Sequence, residues 1–218
     1  MSEINIEKIN KYYGSNHIIK DVSLDIKSQS FTVLVGPSGC GKSTILRMIA
    51  GLEDINSGTI AIDGSVVNDL APKQRNIAMV FQSYALYPHM TVFNNMAFGL
   101  KLEKRSKDEI EERVHEAAKI LQIEDYLQRK PKQLSGGQRQ GVAIARALAR
   151  GKSVFILDEP TAALGVEQQE NVNNLILRLK REQKTVLLIS HNLDHVFKVS
   201  DRIIVFRRGK KVAERAKN

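Results

Sequence analysis

The sequence predicts an α/β fold, a mostly parallel sheet covered by helices and interrupted by a helical insert. Three observations predict it. Phe31–Val35 is a continuous apolar run, the pattern of a strand buried on both faces, and it leads directly into a glycine-rich loop and then a helical repeat. Two further apolar runs, Val154–Asp158 and 185–190, alternate with helical segments, as a parallel sheet with crossovers requires. Residues 85–150 lack strand patterning and read as the insert.

Each element has its own signal. Residues 4–11 alternate as a strand, and 22–26 alternate as a half-buried one. Across Lys42–Ala50, Ile45, Leu46, Ile49 and Ala50 recur at helical spacing, and Gly51 is the stop. Residues 59–62 and 77–81 are short strands, with Gly64 and Pro72 marking turns between them. Thr91 caps a short helix over 94–100. Segment 106–122 is an amphipathic helix: Ser106 and Glu109 form a capping-box pattern, and Ile110, Val114, Ala117, Ala118 and Leu121 share a face. Pro131 precedes a second glycine-rich turn. Residues 166–182 are helical, with Val172, Leu175, Ile176 and Leu179 on one side. A short helix over 192–199 follows, then a hairpin of 202–206 and 210–213 joined through Arg208-Gly209. The chain reads as one domain, in which 1–84 and 151–218 form the core and about 85–150 the helical part.

Composition narrows the classes. Charged residues make up 26% of the 218, as in soluble globular proteins. No apolar run approaches the ~20 residues that span a bilayer, and Met1-Ser2-Glu3-Ile4 lacks a signal-peptide pattern, so a cytosolic location or the cytosolic face of a membrane is expected. The single cysteine, Cys40, fits a reducing compartment and reads as a small residue in a tight loop. The net charge is +9, concentrated in 126–157 and 202–218. A basic surface attracts nucleic acid or anionic lipid, but no aromatics interleave these clusters, which disfavours base stacking.

The chemistry begins at residues 36–44, Gly-Pro-Ser-Gly-Cys-Gly-Lys-Ser-Thr, which fit G-x-x-x-x-G-K-[ST], a loop that wraps a nucleotide's phosphates. Gly36, Gly39 and Gly41 permit the curvature that turns successive N–H groups inward, with Pro37, Ser38 and Cys40 between them. The following helix adds its positive end. Lys42 supplies a full charge to the β- and γ-phosphates, Ser43 a hydroxyl to Mg²⁺ and Thr44 a hydroxyl to the phosphates. Asp158, at the end of a buried strand, suits Mg²⁺ through its water shell. Glu159, one residue on, suits the attacking water. Gln82 and His191 each follow a core strand, where ligands of such sheets bind. Gln82 would contact Mg²⁺ or the water, and His191 would donate a hydrogen bond to the γ-phosphate. Residues 134–138, Leu-Ser-Gly-Gly-Gln, form a second anion-binding turn ahead of a helix.

Residues 36–44, Gln82, 134–138, 154–159 and His191 together resemble the ATP-binding cassette (ABC) ATPases, over nearly the whole chain. The resemblance implies a P-loop NTPase fold with an N-terminal antiparallel β subdomain and a helical insert subdomain. It also implies ATP hydrolysis with Mg²⁺, and Tyr13 stacking on adenine while Tyr12 packs. Two cassettes would meet head to tail, with Ser135, Gly136, Gly137 and Gln138 of one reaching the γ-phosphate held by Lys42 of the other. The implied partners are a second copy and transmembrane permease subunits, not nucleic acid. The implied location is the cytoplasm, peripheral on the inner face of the membrane. Phe81, Tyr84, Leu86, Tyr87 and Met90 would offer the permease an apolar contact surface.

The finer resemblance is divided. Residues 81–92 and 130–132 look like cassettes of oligosaccharide and glycerol-phosphate importers. Residues 138–142, 160–168, 190–193 and 196–202 look like those of monosaccharide importers. The division reads as a recombinant joined around 125–140, with drift of a single cassette as the alternative. Two positions depart from the family: Gly165 stands where an aspartate is usual, which puts communication between paired sites in doubt, and Gly141 replaces a common arginine. The expected function is the ATP-hydrolysing subunit of a carbohydrate importer. Its competitors are a hybrid soluble domain with weak turnover and a non-transport cassette acting on nucleic acid.

Overall fold

The computed structural model describes residues 2–81, 85–162, 164–192, 196–197 and 199–216. These residues fall into two compact units, one of 2–79, 153–159 and 180–216, the other of 80–152 and 160–179.

The first unit holds two sheets. Strands β1 (Ile4–Tyr13), β2 (Asn16–Ile26), β4 (Ser57–Ile62) and β5 (Ser65–Val66) form an antiparallel sheet in the order β2-β1-β4-β5. Strands β3 (Phe31–Val35), β6 (Ile77–Val80), β7 (Val154–Asp158), β8 (Thr185–Ile189), β9 (Arg202–Arg207) and β10 (Lys210–Ala216) form the other, in the order β10-β9-β3-β8-β7-β6. In it β3 runs parallel to β8 and β9, and β7 parallel to β8, while β10 turns back antiparallel on β9. Parallel strands end at the same edge. Leu34 and Asp158 both pair with Ile189, so the loops after β3, β7 and β8 emerge side by side. Apart from Thr32, Asp158 and Thr185, the central strands are apolar because both faces are buried.

Helix α1 (Lys42–Ala50) follows β3 and buries Ile45, Leu46, Met48 and Ile49 in the core that the two sheets share. Gly51 ends it in the left-handed conformation, φ 73°, with Gly51 N–H on Met48 O and Leu52 N–H on Arg47 O. Arg75 completes that end. It is buried, and its guanidinium donates to the carbonyls of Met48, Ile49, Asn68 and Leu70 at 2.8–3.1 Å.

The second unit holds helices α2 (Val92–Leu102), α3 (Lys107–Leu121), α4 (Gly136–Ala149) and most of α5 (Val166–Arg181), with α2, α3 and α4 packed on one another. Thr91 and Ser106 cap α2 and α3 through their hydroxyls. Among the described residues no helix is long and apolar enough to cross a membrane.

Departures from the sequence reading are local. β2 starts at Asn16, not 22, because β1 pairs with residues from 16 onward whose own sequence carries no alternation. β10 runs on to Ala216 for the same reason. Leu175, expected on the buried side of α5, is half-buried. The helix expected over 192–199 falls partly on residues outside those described. Within the described ones, Val196 N–H donates to Asn192 O and Ser200 N–H to Val196 O.

Candidate functional site: a phosphate loop at the sheet edge and a glycine turn on α4

The loop between β3 and α1 is shaped by contacts that only glycine permits. A Cβ on Gly36 (φ 154°) would lie 2.2 Å from Phe206 O, and one on Gly41 (φ 105°) 2.5 Å from Ile19 Cδ1. Gly39 also has a positive φ, 74°, while Pro37, Ser38 and Gly39 are exposed. Lys42 is only 5% exposed, and its ammonium donates to Gly36 O at 2.7 Å and Pro37 O at 3.0 Å. Its charge is thus held within the loop. The Cys40 thiol is buried 3.8 Å from that ammonium. Thr44 is half-buried on the first turn of α1.

Next to the loop, the Ser43 hydroxyl donates to Asp158 Oδ1 at 3.1 Å. Burial raises the Asp158 pKa, the Ser43 bond lowers it, and neighbouring Glu159 raises it. Glu159 has φ 48°, a conformation that side chains other than glycine rarely adopt, and its N–H is held by Ile189 O at 3.1 Å. Its carboxylate accepts from His191 Nε2 at 2.6 Å. The sequence marked these residues singly. The pairings Ser43–Asp158 and Glu159–His191 come from the parallel register of β3, β8 and β7, and no local motif spells them out. Gln82 lies outside the described residues.

Tyr13 ends β1 with its side chain 47% exposed, Lys11 Nζ 5.0 Å from the ring centroid and Glu53 bonded to both Lys11 and the phenol. Burial and then Glu53 raise the phenol pKa. Tyr12 instead stacks on His17, centroids 4.0 Å apart. The Tyr13 ring is therefore the more available of the two for a flat ligand.

The second motif lies in the other unit. Ser135 is the N-cap of α4: its Oγ accepts from Gln138 N at 3.2 Å, and Gln138 Oε1 accepts from Ser135 N at 2.9 Å. Gly136 opens the helix, so its N–H is among those without a helical partner. Gly137 and Gly141 let α5 approach. A Cβ on Gly137 would lie 3.1 Å from Gln168 Cβ, and one on Gly141 3.0 Å from Leu175 Cδ1. An arginine at 141 would therefore have to displace Leu175. A cavity of about 440 Å³ lies against this turn, lined by Ser135, Gln138, Gln168, Asn171 and Arg178 among others. At Gly165 nothing stands within 4 Å of an added Cβ, so a side chain would fit there.

Comparison with known proteins decides the family. A family model described as ABC transporter matches residues 19–162. The chain belongs to the ABC transporter family. Among relatives of this cassette, the lactose transport ATP-binding protein LacK of Rhizobium radiobacter is 52% identical over 96% of the chain. The oligosaccharides import ATP-binding protein MsmX of Bacillus subtilis is 51% identical over 96%. The cassette spans 58% of the length of each. Among solved structures, the dimeric bacterial ABC transporter cassette MJ0796 superposes with TM-score 0.85 at 35% identity, covering 98% of both chains. A dimeric post-hydrolysis state of MJ0796 bound to ADP and Pi superposes equally well, at 33% identity.

An oxygen-rich site with one carboxylate suits Mg²⁺ that shares its coordination with phosphates. The adjacent Ser43 hydroxyl and Asp158 carboxylate fit that description. Among the described residues no cluster of three or more His, Cys, Asp or Glu could hold a metal by itself.

Proposed function

We propose that this chain is the ATP-hydrolysing subunit of a membrane importer, with carbohydrates as its cargo class, and that it works as a head-to-tail pair. One observation supports the reading above all: the phosphate loop, the Ser43–Asp158 pair and the Glu159–His191 pair gather at one edge of the parallel sheet. Residues 36–44 hold the triphosphate, and Lys42 turns from the carbonyls of Gly36 and Pro37 to the β- and γ-phosphates. Tyr13 stacks on adenine. Ser43, Asp158 and Gln82 would hold Mg²⁺, which would neutralise phosphate charge.

Glu159 orients and polarises the attacking water. When nucleotide binds, His191 Nε2–H turns from Glu159 to a γ-phosphate oxygen, which frees the carboxylate for the water. The water oxygen bonds to the γ-phosphorus as the bond to the β–γ bridging oxygen breaks, the water's proton passes by way of Glu159 to the released phosphate, and ADP and phosphate leave. The sequence and names of the sugar-import relatives support the cargo class.

In the pair, Ser135, Gly136, Gly137 and Gln138 of one copy close on the γ-phosphate in the other, so hydrolysis releases the dimer. The protein works at the cytoplasmic face of the membrane, with transmembrane permease subunits as partners and no nucleic acid. The loop at 85–90 is a built contact surface for the permease. Fully buried Asn95 accepts from Tyr87 N–H and donates to the carbonyls of Tyr87, Met90 and Thr91, and the Tyr87 ring, 37% exposed, packs on Phe98.

Glu159→Gln tests the reading. The variant is expected to bind ATP with unchanged affinity, lose turnover by about 10²-fold or more, and accumulate as an ATP-bound dimer in gel filtration. A variant that hydrolyses ATP as fast as the unaltered protein would remove Glu159 from the chemistry.

A further inference from the structure

Gly209, in the turn between β9 and β10, ties three segments together. Its N–H donates to Cys40 O in the phosphate loop at 3.0 Å, and its own carbonyl accepts from Lys20 N–H in β2 at 2.9 Å. Its φ is 79°, and a Cβ there would lie 2.1 Å from Ile18 O. At the other end of the loop, Val35 pairs with Val205, which brings Phe206 beside Gly36, where its carbonyl fills the space a Cβ would need. The carbonyl of Cys40 thus points to Gly209 and away from the anion side of the loop. Turning that peptide over would present an oxygen where phosphate requires N–H groups.

We infer that Gly209 is a positioning residue for nucleotide binding: through its N–H it fixes the Cys40–Gly41 peptide in the orientation that leaves the loop's N–H groups facing the triphosphate. The inference rests on the reading of residues 36–44 as the phosphate site. It is independent of Lys42, because it concerns the loop's backbone and not its charged side chain. It also gives the β9–β10 hairpin, remote in sequence from the loop, a stake in ligand affinity.

The test compares a fluorescent trinitrophenyl ATP with the trinitrophenyl adenosine that lacks phosphates. Gly209→Ala is expected to weaken the triphosphate probe about tenfold, the scale of one backbone hydrogen bond, and to leave the nucleoside probe unchanged. A second variant, with a glycine inserted between Arg208 and Gly209, moves the N–H without adding a Cβ and should give the same split. Arg208→Gly is the control. Arg208 already has φ 50°, so this change keeps the turn and should leave both probes unaffected. If both probes weaken together as the thermal midpoint falls, or if neither altered turn folds, Gly209 is structural only and the inference fails. It fails also if neither probe changes in the two altered turns. If the unaltered protein binds the nucleoside probe as tightly as the triphosphate, the phosphate-site reading fails first.

Discussion

Asp158 sets folding against its proposed role at the level of a single side chain. Burial favours its neutral form, Glu159 beside it adds to that preference, and the Ser43 hydroxyl opposes them together with the charges of Arg47 and Lys42. A carboxyl whose pKa is raised by folding stabilises the fold most below its ordinary range, and that contribution is lost as pH rises through the folded value. At neutral pH the ionised carboxylate is therefore a liability that nucleotide and metal binding would relieve. Asp158→Asn is expected to melt about 2 °C higher than the unaltered protein at pH 8, with the gain shrinking toward pH 4, while ATP hydrolysis is lost. A variant that melts lower at pH 8 would show that the Ser43 bond and the charges of Arg47 and Lys42 outweigh burial. At this scale the sequence was most legible where partners are neighbours in the chain. Lys42 and Ser43 are fixed by the loop motif, and Asp158 and Glu159 by the strand before them. Glu159 and His191 are 32 residues apart and meet because Asp158 pairs with Ile189, a register that no local pattern encodes.

Arg75 shows how an element can depend on a residue outside it. The last carbonyls of a helix have no partner within it, and in α1 Arg75 satisfies those of Met48 and Ile49 while also binding Asn68 and Leu70. Burial lowers its pKa, the expected direction for a desolvated cation, yet a guanidinium keeps its charge at any working pH. Arg75→Met fills similar volume but strands the carbonyls, and is expected to destabilise by about 3 kcal/mol. Denaturant titration would read it as a lower midpoint with an unchanged slope. Arg75→Lys should recover only part of the loss, since one ammonium cannot reproduce a planar fork. A full recovery would mean that charge alone matters. From the sequence this region read only as turns between short strands. Helix α3 was legible from its Ser106 cap and its apolar face, both local signals. The first half of β2 was not, because residues 16–21 are strand through pairing with β1 and not through their own pattern.

For the whole molecule, the proposed pairing makes each motif half of an anion site. The phosphate loop belongs to one compact unit and the Ser135 turn to the other, and the dimeric cassette MJ0796 is a precedent for two copies pairing. If sites are shared, each copy contributes its loop to one site and its turn to the other. Lys42→Ala should then be inactive as a homodimer, and so should Ser135→Arg, because both sites in each lack one half. Mixed together, the two variants form a heterodimer in which one site combines the intact Lys42 loop of the Ser135→Arg copy with the intact turn of the Lys42→Ala copy. The other site is doubly broken. Random pairing at equal amounts gives about half heterodimers, each with one working site, so about a quarter of full turnover should return. Ser135→Arg also removes the N-cap of α4, worth about 1 kcal/mol, so thermal melts must first show that both variants are folded. Folded variants that restore no turnover at any ratio would mean that the serine-glycine turn does not complete the site of a second copy.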